Sequence, residues 1–306
     1  MPLVPFTPPQ PVATQPGKHY FDYVTVDARR RRVYAAHGGN DSLLIVNADT
    51  GKVLGQVRVG PMAGVAVNPQ TGDVYTGDGR GEAVSEVDPV TMKEVHRVGV
   101  PGHVDAIAYD PLYHRIYADE DDGTRLFVID ARSFTLVKTI RLPGHKPEYL
   151  AIDPRTHDLY QNIATNSEIV VIDPKTLTIA RTIPTPQISD NHPLQIDERD
   201  GTLLVAGENG VLAIYTLAGR HVASTSIPTF VDQCALDESR QVLACAAKSS
   251  IVVYGVAANA PPRLIAELPV GHRMHNVGID VLTGRIWAVW GSPSGDFVQG
   301  FTWKRQ

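Results

Sequence analysis

The 306-residue chain weighs 33.2 kDa and is 43% hydrophobic and 20% charged, which excludes wholesale disorder. It has no apolar run of about 18 residues, so no membrane span is expected. Its formal charge of −5, without a long basic run, argues against a dedicated nucleic-acid binder. Two cysteines are too few for a disulfide scaffold or a structural zinc site.

In chain order, residues 1–15 have neither a basic n-region nor an apolar h-region and do not read as a signal peptide. The compartment stays open: cytoplasmic, or periplasmic or secreted if a leader was removed. From there on one unit recurs: an apolar strand, an Asp or Asn, a short turn, and a second apolar strand. Its anchors are Asp27, Asn68, Asp110, Asp153, Asp197, Asp237 and Asp280, spaced by 40–44 residues. Copies include VTVDARRRRVYAA, IAYDPLYHRIYAD and VGIDVLTGRIWAV. Each full copy holds four strand-like runs; in the third they fall at 105–109, 115–118, 125–129 and 136–142. Turn formers such as Asp110-Pro111 and Asp49-Thr50-Gly51 separate them, and no helical period is sustained. The pattern predicts an all-β fold, one seven-bladed β-propeller domain over 1–306 with four-stranded antiparallel blades. The seventh copy stops after three strands. Residues 3–13 precede the first copy without a partner and are expected to supply the outermost strand of the last blade. Such an edge tolerates Pro5, Pro8, Pro9 and Pro11.

The stretches VAVNPQTGDVYTG (65–77), LFVIDARSFTLVKTI (126–140) and IVVIDPKTLTIARTI (169–183) resemble the YVTN-repeat propellers, which include YncE-like proteins. The resemblance spans all seven copies and implies the propeller fold. Many members of that family are exported. It assigns no catalytic role to any residue. Trp-Asp-type repeats fit less well, because no copy ends in a Trp-Asp pair.

Equivalent positions of successive blades converge on one face of such a ring. Five residues before each anchor stand Asp22, Ala63, Asp105, Glu148, His192, Asp232 and His275, six of seven ionisable. The preceding loops add His19, His103, His145 and His272, and ten residues after the anchor come His37, Asp78 and Glu120. Like charges about 4 Å apart repel by about 4 kcal/mol at an effective dielectric near 20. A ring of carboxylates must share protons, pair with imidazolium, or hold a cation. His192, His275, Glu148 and Asp232 form one arc and are the expected ligands of a divalent cation. Zn, Mn or Fe suit the mixed donors, and Ca or Mg suit carboxylates alone. Asp22, Asp105 or His103 is the expected general base, and Ala63 leaves a gap for substrate entry.

The resulting expectation is a monomeric, metal-dependent hydrolase or lyase for a small polar substrate, such as a sugar acid or lactone. The alternative is a non-catalytic propeller that holds a peptide, glycan or partner protein on the same face. A purely structural ring lining a solvated funnel is the third reading. Gly38-Gly39-Asn40-Asp41 and the Gly77–Gly81 run read as tight turns, and Arg29–Arg32 as a solvated turn. Asp119–Asp122 lacks EF-hand spacing and reads as a polar loop. A hairpin turning at Ser239-Arg240 would set Cys234 opposite Cys245, as a cross-strand disulfide or as two reduced thiols.

Overall fold

The computed structural model describes residues 2–270 and 273–304. Seven antiparallel sheets follow one another around a ring, each running outward from an inner strand. The first blade is Val24–Asp27, Arg32–His37, Ser42–Asn47 and Val53–Arg58. The inner strands of the next six are Met62–Val67, Val104–Asp110, Pro147–Ile152, Asn191–Asp197, Val231–Asp237 and Asn276–Asp280.

The ring closes as the sequence predicts. Leu3 pairs with Trp303 and Gln10 with Val298, so the N-terminal segment is the outermost strand of the last blade. That strand is split into Leu3–Pro5 and Gln10–Val12. Between the halves, Phe6 and Thr7 both donate their N–H to the Gly300 carbonyl, and the chain then runs through Pro8 and Pro9. Proline has no N–H to give to a ladder, which suits an interruption.

Packing between blades forms the core. Seven residues after the anchor, on the second strand, stand Tyr34, Tyr75, Tyr117, Tyr160 and Trp287, each at most 1% exposed. Outer strands alternate: Thr135–Arg141 shows every other residue to solvent, as expected of a half-buried edge.

The anchors themselves prove structural. The residue four places after each lies in the left-handed region in all seven blades, from His114 (φ 50) to Gly72 (φ 91). Only three of the seven are glycine, so Arg31, His114, His157 and Gln241 occupy a backbone region that disfavours a Cβ. Three of these reach back to the preceding blade's anchor. Arg31 donates to both oxygens of Asp280 (2.8 and 2.6 Å), His157 meets Asp110 (2.9 Å), and Gln241 donates to Asp197 (3.1 Å). Asp110 also accepts the N–H of Leu112 and Tyr113 in its own turn. One carboxylate thus caps a turn and ties two blades together. The arginine run is spent in this way: Arg30 donates to the Pro69 and Gln70 carbonyls of the next blade, and Arg29 alone is exposed. Cys234 and Cys245 do lie opposite each other and form a disulfide. Among the described residues no helix is long and apolar enough to cross a membrane.

Candidate functional site at the channel mouth

In blades two to six the ladder of the inner strand breaks at the predicted site position. The register shifts between Met62 and Val65, Val104 and Ile107, Glu148 and Leu150, Asn191 and Leu194, and Val231 and Cys234. Ala63, Asp105, His192 and Asp232 lie inside these bulges, and Glu148 abuts one. A β-bulge re-aims its side chain and bends the strand. Pro193, which has no N–H to pair, falls within one of them.

Six ring residues then meet around a cavity of about 380 Å³: Asp22, Asp105, Glu148, His192, Asp232 and His275. Tyr20, Phe21, Tyr23, Asp121 and Arg273 complete its wall. Ala63 does not line it, so the entry gap expected there is not part of this wall. The cavity has a floor. Tyr23 and Tyr149, from blades on opposite sides of the ring, approach to 5.2 Å between ring centroids. The Tyr149 hydroxyl donates onward to the Cys234 carbonyl (3.4 Å). A separate cavity of about 250 Å³ lies along the inner strands, with Val65, Ile107 and Leu150 in its wall and Tyr23 and Tyr149 at the boundary.

One connected chain of charge crosses blades four to seven. Lys146 Nζ is 3.7 Å from Glu148 Oε1. His192 Nε2 lies 3.4 Å from Glu148 Oε2 and 3.5 Å from Asp232 Oδ1. The other oxygen of Asp232 is 2.6 Å from His275 Nδ1. Across the cup, the Tyr23 hydroxyl donates to Asp105 Oδ2 (3.4 Å). Behind it, fully buried Asp119 accepts from the Ala106 N–H (2.6 Å) and Gln161 Nε2 (2.9 Å).

Crowding and burial split these carboxyls into two kinds. Burial, aided by the charges of Asp232 and Asp121, lifts Asp22 to about 8. Burial and then Asp22 push Asp105 well above the carboxylate range. Burial and Asp105 do the same to Glu148, against the opposing pull of Lys146. Asp232 goes the other way: burial pushes it up, but His192 and His275 outweigh burial and hold it well below the usual value. The His275 contact is the shorter of the two, 2.6 Å against 3.5 Å for His192. The mouth therefore offers one firmly ionised carboxylate beside carboxyls that hold their protons.

Other expected residues lie elsewhere. His103 is exposed and outside the cavity wall; its carbonyl accepts the Asp121 N–H (3.0 Å). His145 is exposed on its loop, and His272 lies outside the described residues. The position ten after the anchor turns away from the channel: Asp78 pairs with Arg97 (2.6 Å), Glu120 with Arg125 (2.8 Å), and His37 with Asp296 (2.6 Å). The acidic run Asp119–Asp122 is no single loop. Asp119 is interior, Glu120 is ion-paired, and Asp121 faces the cavity. The two-residue period of a strand, counted on from Asp119, is the signal that points to Asp121. Arg273 and Tyr20 come from loops between blades, where no repeat position marks them.

Among the described residues, no group of three His, Cys, Asp or Glu side chains is already arranged to hold a metal ion. The donor types suit one, and two pairwise spacings are compatible with it. Ligands about 2.1 Å from a tetrahedral cation stand about 3.4 Å apart, close to the two His192 contacts. His192 Nδ1, buried without a hydrogen-bond partner, is the unsatisfied polar atom of the site.

The class is thus a seven-bladed propeller with an acidic, imidazole-bearing cup at its channel mouth. No family model matches the chain, and no curated protein matches it. Three solved structures are similar. Kuenenia stuttgartiensis hydrazine synthase aligns at 16% identity and TM-score 0.78, over 90% of this chain and 96% of that one. U3-55K aligns at 10% and 0.79, over 95% and 97%. The Cps50 (Swd1) β-propeller domain of Myceliophteria thermophila aligns at 12% and 0.78, over 97% and 100%. Likeness at such identity shows the fold alone.

Proposed function

We propose that the chain is a YVTN-repeat, YncE-like propeller whose cup is the active site of a hydrolase or lyase. Its substrate is small and polar, of the sugar-acid or lactone class. The observation that carries this reading is the run Glu148–His192–Asp232–His275, joined edge to edge on one cavity wall. Asp232 holds His275 through Nδ1, which leaves Nε2 as the ring nitrogen that would ligate a cation. Asp22 and Asp105, on the other arc, keep protons to return to a leaving oxygen. His103 stands outside the wall and touches this site through Asp121, whose N–H its carbonyl accepts; burial and Asp122 raise the Asp121 carboxyl, and His103 opposes them. Glu148, His192, Asp232 and His275 would hold a divalent cation (Zn, Mn, Fe, Ca or Mg). When bound, it supplies an acidified water or a polarised carbonyl. The Cys234–Cys245 disulfide supports an oxidising, periplasmic or secreted setting.

A second reading, a non-catalytic propeller for a peptide, glycan or partner protein, draws on two exposed aromatics near the mouth, Tyr20 (40%) and Phe230 (56%).

Elemental analysis of the purified chain, with melts with and without chelator, tests the first reading. Stoichiometric metal is expected. At about 100 times Kd a ligand adds about 2.7 kcal/mol, so chelation should lower Tm by about 4 °C. Full metal uptake in His192→Ala plus His275→Ala, or no metal with an unchanged melt, refutes the cation site.

A further inference from the structure

Beside the acidic cup lies another cavity of about 240 Å³. The two share His192, Asp232, Arg273 and His275 as a common wall. Lys248 stands on its far wall and Arg273 on the shared one, so two cations border this space. Neither cation is ion-paired with a described carboxylate. The Lys248 ammonium instead lies 5.2 Å from the centroid of the Phe230 ring. Glu208 also borders this cavity and adds one carboxyl to it. Phe230 is half exposed and sits at φ 60, a backbone region that bulky residues avoid. Lys146 and Asp190 share this conformation at the equivalent place in their blades, so what sets this blade apart is the exposed aromatic ring it carries there.

We propose that this cavity is an anion subsite, and that the substrate of the cup is a small hydroxylated carboxylic acid. The inference rests on the reading of the cup given above and adds the charged end of its substrate. The carboxylate lies against Lys248 and Arg273, whose planar fork matches two oxygens. A carbon face lies on Phe230. The hydroxyls reach past the shared wall to the acceptors of Asp232, Glu148 and Asp22. A phosphate dianion is disfavoured, because Asp232 and Glu208 border the same space.

Calorimetric titration with D-glucuronate, D-glucose and inorganic phosphate tests this on the wild type, Lys248→Gln and Arg273→Gln. Thermal melts without ligand verify that each variant folds. Glucuronate should bind the wild type at least tenfold more tightly than glucose. Each substitution should weaken glucuronate by about tenfold to a hundredfold, the worth of a charged hydrogen bond. The proposal is overturned if glucuronate binds no better than glucose, if phosphate binds better than glucuronate, or if the preference survives both substitutions. The metal content of the wild type reports on the cup alone, so the two readings fail separately.

Discussion

Asp296→Ala should unfasten the seam where the ring closes. Asp296 belongs to the third strand of the last blade, Gly295–Trp303, and its side chain is fully buried. One oxygen lies 2.6 Å from His37 Nε2 of the first blade, and the other 3.0 Å from His19 Nδ1 of the linking segment. His37 is itself completely buried, stacked on Phe21 at 4.1 Å with 14° between the planes. Its Nδ1 faces Gln56 Oε1 at 2.9 Å. Gln56 cannot simply turn over, because its Nε2 donates to the Ala13 carbonyl (2.9 Å). His37 therefore faces Asp296 through one ring nitrogen and Gln56 through the other. Removing one partner of a buried charge pair costs about 3–5 kcal/mol, a large share of a total stability of about 5–15 kcal/mol. Asp296→Asn should cost less, about 1–2 kcal/mol, because a neutral His37 can accept from the new amide.

The pH dependence has a fixed sign. Burial raises the Asp296 carboxyl, but His37, Thr14 and His19 outweigh burial and hold it low. Its contribution is present above the unfolded value of about 3.9 and is lost as pH falls through the lower folded value. Urea unfolding followed by tryptophan fluorescence, with Trp287 and Trp290 on a strand of the same sheet, measures the gap. An alanine penalty below about 1 kcal/mol near pH 6, or a gap unchanged at about pH 3, refutes the reasoning.

Two further outcomes are expected. Reducing the Cys234–Cys245 bridge, or Cys234→Ser with Cys245→Ser, should cost about 2–4 kcal/mol; a wild-type melt unmoved by reductant counts against it. Asp22, lifted to about 8 by burial first and then by Asp232 and Asp121, binds in the folded state a proton that the unfolded chain has released. Stability should therefore fall as pH rises from about 4 to 8, by at most about 1.4 kcal/mol per pH unit. Asp22→Asn should flatten that slope, and equal slopes in the two proteins contradict the assignment.

The blade count, the closure and the cysteine pairing were legible because each is a matter of register, which repeats and alternation encode directly. Asp27 and its equivalents could be counted because one side chain must cap every turn. Their second task, taking a bond from the next blade's Arg31, His157 or Gln241, is a contact across copies that no single copy displays. The arc of His192, Asp232 and His275 was visible as a repeat position, yet the bulges that aim it were not. A bulge is one extra residue against a partner strand, and it shows only once strands are paired. Asp121 was missed because counting ten residues from the anchor selects Glu120, which strand alternation turns toward Arg125. The seam between His37 and Asp296 joins residues more than 250 positions apart, and the repeat is silent about what meets at its two ends.

The bulged inner strands also bear on how such a ring can change its chemistry. Those of blades three to six each supply one address on the cup wall, and the tyrosines and aliphatics between blades hold the frame without it. Exchanging the occupant of one address, as Ala63 stands at the repeat position where its neighbours carry acids or imidazoles, alters the charge of the mouth while leaving the architecture alone. Chemistry in this ring is thus editable one blade at a time.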